Sequence, residues 1–312
     1  MMRKALEERE SSHTLSALRD PAHEWAVILA GGDGTRLREL SYKISGDHRP
    51  KQFCDFFGGK SLLAHTRDRL QPVFRDEKIF FVFNHAHRMY YSSELSDVVS
   101  SRKLIQPANR GTAPAIALAV LEILQRDPGA TIALFPSDHH YRESSVFRAT
   151  VDRALRLAKQ SDDRVLIVGA PATYPEVEYG WIQPGGTVTQ HLPNSVQYVT
   201  RFWEKPSLAD ARRLQKSGCL WNTFVTIGSG GAFLKLLAAT VPHLLAAIGG
   251  RFSATALEQI YLEIEPIDFS RDVLSLVPER LLVLRDGPSG WTDFGSPERA
   301  MDVLEALATV FS

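Results

Sequence analysis

Trp25-Ala26-Val27-Ile28-Leu29-Ala30-Gly31-Gly32-Asp33-Gly34-Thr35-Arg36-Leu37 is the stretch that decides how the chain folds. Its first five residues form an unbroken apolar run, which reads as a parallel strand buried on both faces. Gly31, Gly32 and Gly34 then remove the side chains that would hold a backbone away from a ligand, and they permit positive φ. Amides turned inward by such a loop form an anion-binding concavity. Arg36 adds a fixed cationic fork suited to phosphate. Together these residues make a phosphate cradle, although a plain strand-to-helix turn also takes small residues.

Spacing excludes two familiar cradles. A P-loop needs Gly-x4-Gly-Lys-Ser/Thr, which the chain lacks, and the dinucleotide fingerprint fails because the sixth position counted from Gly32 is Leu37. The 312 residues suffice for one large α/β domain or two modest ones. Lysine plus arginine and aspartate plus glutamate balance at 36 each, leaving no basic excess to hold nucleic acid by its backbone. No apolar run nears the ~18 residues of a membrane span. The start, Met1-Met2-Arg3-Lys4-Ala5-Leu6-Glu7-Glu8-Arg9-Glu10, has charge where a signal peptide has its apolar stretch. Cys54 and Cys219 lie far apart and fit neither a disulfide framework nor a cysteine zinc site. A soluble, cytoplasmic protein with no nucleic-acid or membrane partner is expected.

Residues 1–23 are polar without a sustained apolar face and read as a loosely attached arm or a short helix. Positions 38–49, with Gly46-Asp47-His48, read as a mobile polar connector. It ends in Pro50-Lys51-Gln52-Phe53, whose lysine is either a second phosphate contact or a solvated surface residue. Positions 61–70 have helical spacing and 78–83 are a second buried strand. His85 and His87 are spaced as a metal pair could be, but no cysteine or third ligand lies near them in sequence. The turn-rich segment 106–114 precedes a helix with Ile116, Ala119, Val120, Ile123 and Leu124 on one stripe. Thr112 is expected to cap that helix and Pro114 to sit in its first turn, leaving free amides and a positive dipole end. Positions 131–135 are another strand, and Asp138 follows its carboxyl end, where ligands lie in open α/β sheets, unless it serves as a cap or turn residue. A helix over 146–158 and a strand over 164–169 complete a βα pattern that implies a largely parallel sheet. Beyond residue 170, strands over 178–182 and 196–203 turn aromatic and read as an antiparallel excursion. A helix over 208–217, a strand over 281–284 and a terminal helix opened by Pro297 follow.

In order along the chain, these landmarks resemble the sugar-nucleotide pyrophosphorylases, and most closely their mannose-1-phosphate guanylyltransferase branch. Leu29 to Leu37 is similar to the family's opening signature, Pro50-Lys51-Gln52-Phe53 to its Pro-Lys-Gln-Phe, and Asn109-Arg110-Gly111-Thr112-Ala113-Pro114-Ala115 to its Arg-Asn-Thr-Ala-Pro-Ala loop. Pro136-Ser137-Asp138-His139, Tyr179-Gly180-Trp181-Ile182 and Phe202-Trp203-Glu204-Lys205-Pro206 follow, then Trp221-Asn222 and Trp291-Thr292-Asp293-Phe294-Gly295-Ser296. The resemblance spans residues 25–300. It implies a Rossmann-like three-layer nucleotide-diphospho-sugar transferase fold of α/β class, with a mostly parallel central sheet and a smaller antiparallel sugar-binding excursion. By the same resemblance the arm at 1–23 precedes a single domain at 24–312, with a nucleotide-binding half at 24–170 and a sugar-binding half at 171–312.

The reaction so implied is attack by a phosphate oxygen of mannose 1-phosphate on the α-phosphorus of GTP, giving GDP-mannose and pyrophosphate. The nucleophile is already anionic, so alignment and screening of charge are what the protein must supply. By resemblance, Asp138 and Asp293 hold Mg2+, while Arg36 and Lys51 stabilise the triphosphate and leaving pyrophosphate. Ala30, Gly31, Gly32, Gly34, Thr35, Pro107, Asn109, Gly111 and Thr112 join Arg36, Lys51 and Asp138 around the nucleotide. Gly180, Glu204, Lys205 and Asn222 take the sugar phosphate. The chain departs from the family in three places. A few extra residues separate Leu37 from Pro50, Arg38-Glu39 stands where the family has an aromatic-Pro pair, and Thr223-Phe224 replaces Ser-Gly, putting a bulky ring in the sugar pocket. No C-terminal β-helix or cupin-like extension is present in the sequence, so a second fused activity is not expected. Another sugar or base, and a non-catalytic regulatory paralogue that binds a sugar nucleotide, are the alternative readings. A homo-oligomer is left open.

Overall fold

Alternation along the apolar runs sets the architecture. Strand β1 (Glu24–Leu29) sends Trp25 and Val27 into one apolar cluster and Ala26 and Ile28 into another. Strand β2 (Ile79–Asn84) does the same with Phe80 and Val82 against Phe81 and Phe83. A sheet apolar on both faces needs helices on both. The Thr112–Arg126, Gly230–Thr240 and Pro242–Ile248 helices cover the first face, and Leu62–Leu70, Arg88–Glu94 and Ser144–Ala158 the second. Phe80, Phe81 and Phe83 are fully buried, each contributing roughly 2–3 kcal/mol of transfer free energy.

The computed structural model describes residues 19–161, 163–188, 196–250 and 253–311. The arm expected over 1–23 lies outside the described residues as far as position 18. At its described end, Arg19 donates to Asp152 Oδ1 at 2.6 Å and to Glu24 Oε2 at 2.9 Å, tying that position to β1.

The remaining strands are β3 (Lys103–Gln106), β4 (Thr131–Pro136), β5 (His139–Tyr141), β6 (Val165–Pro171), β7 (Gly180–Thr187), β8 (Gln197–Glu204), β9 (Leu220–Ser229), β10 (Leu281–Arg285) and β11 (Trp291–Asp293). The main sheet runs β3-β2-β1-β4-β9-β6-β10-β8-β7. β3, β2, β1 and β4 pair in parallel, as do β6 and β10. β7 and β8 form the expected antiparallel excursion at one edge. The sheet is corrected at its centre: β9 runs antiparallel between β4 and β6, where no strand was expected. β9 also leaves register opposite Val168. Ile167 faces Thr226 and Gly169 faces Asn222, so two steps along β6 span four along β9.

Two further expectations are corrected. Arg38–Ser45 is an α-helix, closed by Gly46 at φ +75°, so most of the expected connector is ordered structure. Thr112 does not cap its helix; Gly111 occupies that position, and Thr112 Oγ1 instead accepts from Phe269 N at 2.8 Å. Cys54 and Cys219 are buried free thiols. Among the described residues, no single helix is long and apolar enough to cross a membrane.

Candidate active site

The glycine loop leaves β1 at the carboxyl edge of the sheet and is pinned from below. Gln52 Nε2 donates to the carbonyls of Ala30 at 3.0 Å and Gly32 at 2.7 Å. Asp33 is held from the side by Asn109 Nδ2 at 2.8 Å and by His87 Nε2 at 3.3 Å, so His87 serves the loop and not a pair with His85. Gly34 sits at φ +62°, and a Cβ there would lie 2.9 Å from the Lys51 amide nitrogen. Only glycine fits that approach.

Lys51 links the loop to the acidic side. Its ammonium lies 2.8 Å from Asp138 Oδ2 and donates to the Phe294 carbonyl at 2.6 Å, next to Asp293. The two aspartates come from different strand ends. Asp138 follows β4, and the β5–β11 ladder sets Asp293 opposite His139. Burial alone would raise the Asp138 carboxyl, but Lys51 and His139 outweigh it and hold it below the ordinary carboxylate range. Asp293 is fixed by Tyr179, whose hydroxyl donates to Oδ1 at 2.7 Å. Arg299 Nε lies 2.7 Å from the same oxygen, an ion pair too bent to be a hydrogen bond, and its Nη1 donates to Glu176 at 2.7 Å.

The third wall joins two distant segments. Ala113 N donates to the Ile267 carbonyl at 3.1 Å and Ile267 N to the Arg110 carbonyl at 3.0 Å. Gly111 sits at φ +85°, and a Cβ there would fall 2.3 Å from the Ile267 oxygen. This seam brings the amino end of the Thr112–Arg126 helix and Asp268 to one cavity of about 410 Å³. That amino end brings its positive dipole end to the cavity, although Ala113 N is already spent on the Ile267 carbonyl, Gly111 N on Asn109 Oδ1, and Pro114 has no N–H.

Gly31, Gly32, Gly34, Arg36, Lys51, Asn109, Gly111, Thr112, Asp138 and Asp293 all line this cavity. A larger depression of about 580 Å³, beside Phe57, Arg69 and His140, is lined by none of them. Ala30 is buried behind the loop and Thr35 is exposed beside it. Pro107 lines a neighbouring depression with His85 and Leu257 and is not among the residues that line this cavity. The expected sugar residues are not among the lining residues but stand together. A Cβ on Gly180 would lie 2.9 Å from Glu204 Oε2 and 3.2 Å from Asn222 Cβ. Burial, with repulsion from Asp268 added, pushes the Glu204 carboxyl up to about 7. Arg36 and Lys205 share Glu178, at 3.1 Å and 3.8 Å, in pairs that are about half exposed. Pairs this open contribute little to stability, so either cation can change partner at little cost.

Sequence reasoning assigned no role to Gln52, Asp33, Glu178, Asp268 or Arg299. Gln52 sat inside a quoted motif. Asp33 likewise sat inside the opening glycine stretch, but its partner His87 is 54 residues on, and the partner of Glu178, Arg36, is 142 residues back; Arg299 reaches Asp293 within its own segment and Glu176 across the chain.

The family model described as nucleotidyl transferase matches residues 25–309. The xanthan biosynthesis protein XanB of Xanthomonas campestris is 32% identical over 290 residues, covering 89% of this chain and 59% of that protein. An Escherichia coli mannose-1-phosphate guanylyltransferase is 30% identical over 285 residues, covering 86% of this chain and 58% of its own. The chain thus spans under two thirds of the length of these curated relatives. A Thermus thermophilus crystal structure titled mannose-1-phosphate geranyltransferase superposes with a TM-score of 0.77 at 27% identity, covering 89% of this chain and 79% of that one.

Proposed function

The chain belongs to the nucleotidyl transferase family, and from that premise we propose that it transfers a nucleotidyl group from a nucleoside triphosphate to a hexose 1-phosphate, releasing pyrophosphate. The observation that carries the reading is the convergence of Lys51, Arg36, two aspartates from separate strand ends and the glycine loop on one cavity. Mannose 1-phosphate and GTP are the favoured pair, supported by the names of the relatives and by the motif order. A cytoplasmic enzyme is the matching location.

In this reading the sugar phosphate, already anionic, attacks the α-phosphorus and pyrophosphate leaves, so no side chain need remove a proton. The loop amides and Arg36 grip the triphosphate. Lys51 counters charge on the leaving group, and Lys205 receives the sugar phosphate once Glu178 lets go. Asp138 and Asp293 would hold Mg2+, and as hard oxygen donors beside phosphate oxygens they suit that ion, which takes only one or two carboxylates from a protein. Bound there, the ion supplies charge screening between the two phosphates.

The test is pyrophosphate release from each common nucleoside triphosphate against a panel of sugar 1-phosphates with Mg2+. Release with GTP and mannose 1-phosphate is expected. No release with any pair, alongside measurable GDP-mannose binding, would favour a regulatory sugar-nucleotide-binding protein instead.

A further inference from the structure

Phe224 stands where a backbone suits it poorly. Its φ is +64°, a left-handed conformation that glycine adopts freely and an aromatic residue rarely does. It lies in the part of β9 where extra residues face Val168, and a bulge of this kind re-aims a side chain. Hydrogen bonds hold the bulge on all sides. Asn222 Oδ1 accepts from Phe224 N at 2.9 Å, Thr226 Oγ1 donates to the Phe224 carbonyl at 3.0 Å, and Thr223 Oγ1 donates to the Val168 carbonyl at 2.7 Å.

The ring so aimed is only part-buried. It leans on Phe269 with centroids 6.1 Å apart and lines the same cavity as Asp138, Asp268 and Asp293. Asn222, which fixes the bulge, is the neighbour of Gly180 and Glu204. Phe224 therefore walls the part of the cavity that adjoins that cluster. Strain kept at a cavity wall, without the full burial of a core ring, points to a role toward ligand.

We propose that Phe224 is a specificity-determining residue, an inference that rests on the hexose-1-phosphate nucleotidyltransferase reading. Its ring closes the sugar end to hexose 1-phosphates that carry an N-acyl group and admits those that carry hydroxyls alone. A pocket closed by bulk rejects by size, so the discrimination lies in the fit of the sugar and not in the grip on triphosphate.

Pyrophosphate release is measured for wild type, Phe224→Gly and Phe224→Leu with GTP and Mg2+. The acceptors are N-acetylglucosamine 1-phosphate and whichever unsubstituted hexose 1-phosphate turns over best. Phe224→Gly is expected to fold, because the relief of a left-handed φ offsets part of the packing lost from Phe269 and the core; circular dichroism checks that the fold is retained. Its kcat/KM ratio should move about 10-fold or more toward the N-acetylated substrate, through the sugar-phosphate KM, with the GTP KM unchanged. Phe224→Leu, which keeps bulk, should stay near the wild-type ratio. Turnover with a ratio in Phe224→Gly equal to wild type overturns the inference alone. Absence of turnover by wild type with every nucleotide and sugar phosphate overturns the functional reading and this inference with it.

Discussion

Replacing Glu204 by glutamine should make the stability of the protein less sensitive to pH. Burial beside Asp268 pushes this carboxyl from 4.5 up to about 7. A folded-state pKa above the unfolded one means that the protonated form is favoured by folding. The contribution is fully present below pH 4.5 and is lost as pH rises through about 7. At 1.36 kcal/mol per pKa unit, the ionised carboxylate costs the fold at most about 3 kcal/mol at pH 8. Glutamine has the same shape and no charge, so Glu204→Gln escapes that cost. Urea unfolding of both proteins at pH 5 and pH 8 reads the difference directly. The variant should gain up to about 3 kcal/mol on wild type across that interval. An offset between the two proteins that is equal at both pH values would refute the reasoning, because Glu204 would then titrate alike in the folded and unfolded chains.

Asp138→Asn and Asp293→Asn should each lower turnover on the order of 10²–10³-fold while circular dichroism stays native; near-native rates at saturating Mg2+ would remove that residue from the metal pair. Gly111→Ala should cost about 3 kcal/mol, from a left-handed φ and a Cβ driven into the Ile267 carbonyl, and should raise the KM for nucleotide. Thermal unfolding and initial rates check it, and an unchanged midpoint would contradict the seam. Lys51→Met should cost about 2 kcal/mol at pH 7 by leaving Asp138 unpaired. The lowered carboxyl stabilises wild type above the ordinary carboxylate range and ceases to as pH falls through its folded value, so the gap between the two proteins should narrow in acid. A gap that is constant from pH 7 to pH 3 in urea titrations would contradict the pairing.

Much of this site was legible from local pattern. The apolar runs at β1, β2 and β4 alternate and are flanked by turn residues, so the parallel core followed from period and length. Lys51, Asp138 and Asp293 sit at strand ends or beside the glycine loop, where the α/β arrangement gathers ligand-binding groups. β9 was missed although Leu220 to Ser229 is rich in aromatic and β-branched residues, because Trp221-Asn222 drew attention as a motif and Thr223-Phe224 interrupts its alternation at the bulge. Helix Arg38–Ser45 was missed because its polar composition leaves no buried residue but Ser41, so the apolar stripe that marks a core helix is absent. Gly46 at its end was the readable stop signal. Thr112 had the composition of a cap, but tertiary pairing with Phe269 N claimed its hydroxyl. The seam between 110–113 and 267–269 could not be read at all, since nothing in either segment names the other.

The central claim is that one cavity gathers cationic side chains, loop amides and a carboxylate-held cation around a single phosphorus atom. A crystal grown with a non-hydrolysable GTP analogue and Mn2+ in place of Mg2+ tests it by anomalous diffraction. The expected result is a manganese peak within coordination distance of the Asp138 and Asp293 carboxylates, with the triphosphate lying over residues 31–36. A nucleotide bound elsewhere, or a metal peak distant from both aspartates, would contradict the claim.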